Sequence, residues 1–221
     1  MNDNAPLMPR EKLLKFGAQA LDDHELLAIF LRTGIKNCPV VELSQKVLQH
    51  FGSLRALISA SPQAFCQLKG IGMTQFIQLQ ACTEMTRRYL LQQLQSAPEF
   101  TQPDLARMYL QTEMEKYERE IFMVLFLDNQ HRLIKQEALF LGTINSATIH
   151  PREIIKTALY CNAAALILAH NHPSGISEPS HADKIITEKI KQAATLMEIR
   201  VLDHFIIGKG CYFSFAEKGW I

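Results

Sequence analysis

A short apolar segment, Ala163–Ala169, runs directly into His170-Asn171-His172-Pro173, and Ser180 and Asp183 follow as a second polar pair. The segment AAALILA is bounded downstream by Pro and Gly and reads as a buried strand. Alternation along a strand puts His170 and His172 on one face at its carboxyl end. Pro173, Ser174 and Gly175 turn the chain, and Pro179-Ser180 opens a helix whose first turn brings Asp183 back toward the imidazoles. Two histidines and one carboxylate are three protein ligands. They leave a fourth tetrahedral position open, the arrangement of a catalytic rather than a structural zinc.

Plainer readings of the same residues stand beside this one. Ser180 and Asp183 also have the spacing of a capping box, which is compatible with metal ligation. Two histidines on a strand face can be surface residues. His181 is a rival ligand by proximity, but as the first helical residue it points away from the site if Asp183 points in.

Taken in order, strand, H-x-H-P-S-G and S-x-x-D, these residues resemble the JAMM (MPN+) metalloproteases, within the bacterial RadC family (UPF0758). The resemblance also runs through Met8-Pro9-Arg10-Glu11-Lys12, Ala20–Gly34, Gly70-Ile71-Gly72, His150-Pro151-Arg152-Glu153 and Val201-Leu202-Asp203-His204, so it covers essentially the whole chain. It implies a zinc site of His170, His172 and Asp183. It further implies an upstream Glu abutting a hydrophobic strand, which selects Glu120 before Ile121–Leu127 over its neighbour Glu118. Glu113, Glu115 and Glu118 otherwise read as a solvated helix end. Asn171 stands where many members of the wider superfamily carry Ser or Thr; RadC-type sequences carry Asn.

The implied chemistry is coherent. Zinc with two neutral imidazoles and one carboxylate stays positive and lowers the pKa of its water from 15.7 to about 7. Glu120 would take the proton and pass it to the leaving amine. Ser180 Oγ would donate to the oxyanion, a role whose loss costs roughly 10²–10³ in turnover. The implied reaction is peptide or isopeptide hydrolysis of a protein or peptide substrate; the residues alone say metal-activated water attacking a carbonyl-like centre. Other zinc classes fail on sequence. There is no H-E-x-x-H for a zincin and no C-x-x-C for a nucleobase deaminase.

Five scattered cysteines, Cys38, Cys66, Cys82, Cys161 and Cys211, suit reduced thiols rather than a disulfide scaffold. With no basic, apolar leader and no apolar run near the roughly 18 residues of a membrane span, a cytoplasmic protein without membrane contact is expected.

The chain's 221 residues, 48% hydrophobic, suffice for two cores. A Gln/Ser/Pro-rich stretch at Leu90–Pro103 marks a boundary, giving a helical domain over 1–98 and a zinc domain over 99–221. The resemblance implies an α+β protein overall: the helical domain plus an α/β JAMM domain (MPN/JAB, cytidine-deaminase-like) with a mixed sheet flanked by helices. Gly and Pro punctuation predicts helices over Leu21–Leu31, Pro39–Phe51, Leu54–Ser59, Ser61–Leu68, Met73–Leu91, Pro103–Lys116, Pro151–Tyr160 and Ser180–Met197. Strands are predicted over Ile121–Asp128, Leu133–Leu141, Arg200–Ile207 and Cys211–Ser214, besides the motif strand.

Lys69, Gly70 and Gly72 lie between two helical segments and look like a helix-hairpin-helix, in which backbone N–H groups meet a DNA phosphate without sequence preference. Phe76 stands where such hairpins often carry a small residue. The same glycines suit a tight turn that only packs helices. Ten Lys+Arg against seven Asp+Glu in the first 98 residues is less basic than most nucleic-acid modules. The alternative function is therefore a non-proteolytic DNA repair or recombination accessory. Of the remaining polar residues, His204 reads either as support for the metal site or as a packing residue, and Arg87-Arg88 either as a phosphate contact or as a solvated helix end.

Overall fold

The computed structural model describes residues 7–96, 102–114, 116–141 and 149–221. The chain divides into two compact units, Met1–Met85 and Thr86–Ile221. The expected boundary at 98/99 falls outside the described residues. Among the described residues no helix is long and apolar enough to cross a membrane.

The first unit is helical: α1 (Pro9–Phe16), a 3₁₀ turn at Ala18–Ala20, α2 (Asp23–Leu31), α3 (Val40–Phe51), α4 (Leu54–Ile58), α5 (Pro62–Cys66) and the start of α6 (Met73–Ser96). Local chemistry sets the boundaries. Asp22 and Glu25 form a reciprocal capping box, Ser53 and Ser61 accept from the third residue on, and Gly52 ends α3 in the left-handed region. Leu27, Leu31, Leu43, Val47, Leu57, Phe65, Ile71 and Leu79 make its core. Helix α1 was not among the expected elements. Only its Pro9 is buried, so it carries little apolar periodicity to read.

In the second unit α7 (Gln102–Met114), β1 (Ile121–Leu127), β2 (Leu133–Leu141), α8 (Pro151–Tyr160), β3 (Ala165–Asn171), α9 (His181–Thr195), β4 (Arg200–Ile207) and β5 (Tyr212–Ser214) follow in order. They build a five-stranded mixed sheet of order β2-β1-β3-β4-β5. β3 and β4 are parallel, joined through α9, and the other neighbours are antiparallel. Alternation divides each central strand between two cores. Met123, Leu125, Ile167, Ala169 and Phe205 meet α7 and the end of α6, whereas Val124, Phe126, Leu166 and Leu168 meet α8 and α9. β1 and β3 are apolar on both faces because both faces are covered.

Two expectations change. The motif strand begins two residues later than Ala163, because Ala163 instead donates its N–H back to Ala158 at the end of α8, and it extends through Asn171. Glu113 and Arg87 are not solvated. Glu113 is buried and takes Arg87 Nη1 at 3.3 Å, Lys116 Nζ at 2.5 Å and the Tyr117 hydroxyl at 3.3 Å, which ties α6 to α7. Glu115 lies outside the described residues.

Candidate metal centre

His170 is the penultimate residue of β3, on the face toward α8 and α9. His172 lies just beyond the strand, and its N–H donates to Ile207 O at 2.8 Å, extending the pairing with β4. Gly175 turns the chain at φ +91°, and its carbonyl accepts from Lys209 N–H at 3.0 Å. A Cβ on Gly208 would lie 2.4 Å from that carbonyl, so the approach of this loop to the end of β4 requires glycine there. The chain then enters α9 through a capping box. Ser180 Oγ accepts Asp183 N–H at 3.2 Å, and Asp183 Oδ2 accepts Ser180 N–H at 2.7 Å. Capping and site formation are one geometry: the cap takes Oδ2 and leaves Oδ1 turned toward the histidines.

The hydrogen bonds fix the tautomers, given neutral rings. His172 Nδ1 lies 2.7 Å from the Ile176 carbonyl, which only accepts, so Nδ1 carries the proton and Nε2 is bare. On the other side, Thr187 Oγ1 donates to the Asp183 carbonyl at 2.6 Å. It must then accept from His204 Nδ1, also at 2.6 Å. Burial pushes the His204 pKa well below its ordinary value, so the ring is neutral and its Nε2 is an acceptor. His170 Nδ1–H donates to that Nε2 at 2.9 Å, leaving His170 Nε2 bare as well.

Two unprotonated ring nitrogens therefore face each other at 3.0 Å, with Asp183 Oδ1 at 3.3 Å from the first. Asp183 Oδ1 is buried and has no hydrogen-bond partner. Burial raises the Asp183 carboxyl, but the Ser180 donors, together with the His170 ring whenever that ring carries a second proton, outweigh it and hold the carboxyl below the usual range. Three lone-pair donors, all without a proton to share, lie within 4.8 Å of one another. Such a set repels itself unless a cation sits among it, and two imidazoles with one carboxylate suit zinc.

Glu120 precedes β1 and is half-buried. Phe122 pairs with His170 in the antiparallel β1–β3 register, and its ring stacks on the imidazole at 6.2 Å. The paired register ends at Phe122 and His170; extrapolated by two residues it would set Glu120 opposite His172, but residues 117–120 belong to no strand. Glu118 lies in the bend before it and is exposed. Ser180 and His181 are exposed.

The family model of a RadC-like JAB domain matches residues 100–220. The chain belongs to this family. A second family, UPF0758 N-terminal, matches residues 5–77. A UPF0758 protein of Histophilus somni is 76% identical over 218 residues, covering 99% of this chain and 98% of its own length. One from Actinobacillus succinogenes is 72% identical, covering 99% and 100%. Another, from Haemophilus influenzae, is 68% identical and covers 99% of each.

Within this RadC-like domain two contributors escaped the sequence reading: Thr187 and the Ile176 carbonyl. Thr187 was accessible in principle, because it lies one helical turn after Asp183 and shares its face. In the N-terminal unit, Lys69 is exposed and Ile71 of the hairpin is buried. The Gly72 N–H is already taken by Gln75 Oε1 at 3.1 Å. Phe76 packs edge-on against Phe65 at 5.5 Å, which accounts for its bulk as a core residue.

Proposed function

We propose that this protein is a zinc-dependent metallohydrolase that cleaves peptide or isopeptide bonds. The observation that carries the reading is the convergence of His170 Nε2, His172 Nε2 and the donor-less Asp183 Oδ1. When bound, zinc supplies a Lewis acid and an acidified water. The chain's own residues do the rest. Glu120, two residues before the Phe122 that pairs with His170, accepts the proton and returns it to the leaving nitrogen. Ser180 uses its Oγ as acceptor for Asp183 N–H, so its own proton remains to be given to the developing oxyanion at the positive end of α9. Phe122 and Phe215 pack against His170 and His204 and keep water from the back of the site. The family's JAB domain supports this reaction class.

The test is metal analysis of the purified chain coupled to a cleavage screen over peptide and isopeptide-linked substrates, with and without chelator. About one zinc per chain and chelator-sensitive cleavage are expected. Zinc retained at full stoichiometry in a His170→Ala/His172→Ala protein would overturn the site. Cleavage unaffected by chelation would overturn the chemistry.

A further inference from the structure

Asn171 lies between the two histidines in sequence, and strand alternation sends its side chain to the opposite face of the sheet. It is buried there and its amide is fully used. Oδ1 accepts the Ile121 N–H at 2.8 Å, while Nδ2 donates to the Arg119 carbonyl at 3.0 Å and the Tyr117 carbonyl at 3.2 Å. The amide orientation is unambiguous, because flipping it would set donor against donor and acceptor against acceptor. Residues 117–120 belong to no helix or strand, so these bonds stand in for a ladder. A hydroxyl at this position has one proton and could satisfy only one of the two carbonyls.

Glu120 sits between Arg119 and Ile121, both of them held. We propose that Asn171 is a positioning residue for Glu120, locking the backbone on either side of it to the strand that carries His170. Asn171 touches no reacting atom. It makes proton acceptor and metal ligands one rigid body, so their separation does not depend on the 117–120 bend. This rests on the reading of Glu120 given above.

The experiment uses the full chain loaded with cobalt(II), whose visible absorption is titrated with pH in wild type, Glu120→Gln, Asn171→Ala, Asn171→Asp and each Asn171 variant combined with Glu120→Gln. Asn171→Asp is the milder change: it keeps the acceptor for Ile121 and loses both donors. Melting curves and cobalt stoichiometry establish that fold and ligands persist. Glu120→Gln is expected to move the titration midpoint by about one pH unit, the scale of one hydrogen bond to a charged group. The Asn171 variants should move it in the same direction and add nothing in the Glu120→Gln background. A purely electrostatic effect of the new Asp would persist in that background and would count against positioning. Folded, cobalt-loaded Asn171 variants that titrate like wild type while Glu120→Gln shifts would overturn the proposal and leave Glu120 as the base. Glu120→Gln titrating like wild type would overturn the base assignment, and the proposal with it.

Discussion

His204 Nε2 lies 2.9 Å from His170 Nδ1, so a residue of β4 decides which ring nitrogen of a β3 histidine is bare. The chain of donors runs on through Thr187 to the carbonyl of Asp183, closing a loop between two of the three candidate ligands. Outer partners of this kind orient ligand rings and raise their basicity.

Thr187→Val tests that loop. The substitution keeps the shape of the buried side chain and removes both hydrogen bonds. Zinc affinity, measured by competition with a chromogenic chelator, should fall about 10- to 100-fold. Unchanged affinity would mean that Thr187 serves only to bind the α9 backbone.

Glu120→Gln separates proton transfer from ligation. Zinc content and melting temperature should stay at wild-type values while cleavage falls by about 10² or more, the range for a lost general base. If Glu118→Gln is the inactive variant instead, the extrapolated β1–β3 register is wrong at its end.

Much of this site was legible because its parts are local. The H-x-H pair, the capping box and the apolar runs of β1 and β3 each lie within a few residues, where strand and helix periodicities act directly. The rest depends on pairs far apart in the chain. Glu113 looked like a solvated helix end because its partner Arg87 is 26 residues away. The partners of Asn171 could not be read from its neighbours because Ile121 is 50 residues away. The start of β3 was misplaced for a different reason: Ala163 is as apolar as the strand that follows, and only its hydrogen bond to Ala158 shows that it closes α8.

The Asp183 carboxyl gives a pH dependence of defined sign. Its folded pKa lies below the unfolded 3.8, so the fold binds the ionised form more strongly. That contribution is fully present above pH 3.8 and is lost as pH falls toward the lower folded value. Chelator-stripped wild type should therefore lose melting temperature faster than Asp183→Asn on acidification, since Asn retains the capping oxygen but does not titrate. Parallel loss in both proteins would contradict the depressed pKa.

The two hairpin glycines should respond differently to substitution. Gly70 has φ +104°, and an added Cβ would lie 2.8 Å from Leu43 Cδ1 in the core. Gly70→Ala therefore strains the backbone and overpacks α3, costing about 1–3 kcal/mol in a chemical melt. Gly72 lies outside the positive-φ region, and the nearest atom to its added Cβ is Gln75 Oε1 at 3.8 Å, so Gly72→Ala should change stability by no more than about 0.5 kcal/mol. This makes Gly72→Ala the clean probe of DNA contact, since Gly70 variants confound binding with folding. A phosphate-cradling hairpin requires fluorescence anisotropy of duplex DNA with the full chain to show weak binding that ignores sequence and falls steeply with salt. Gly72→Ala, still folded, should weaken it by keeping the backbone from the phosphate. Binding that survives Gly72→Ala, or none at low salt, would assign the hairpin to packing the helices around Ile71.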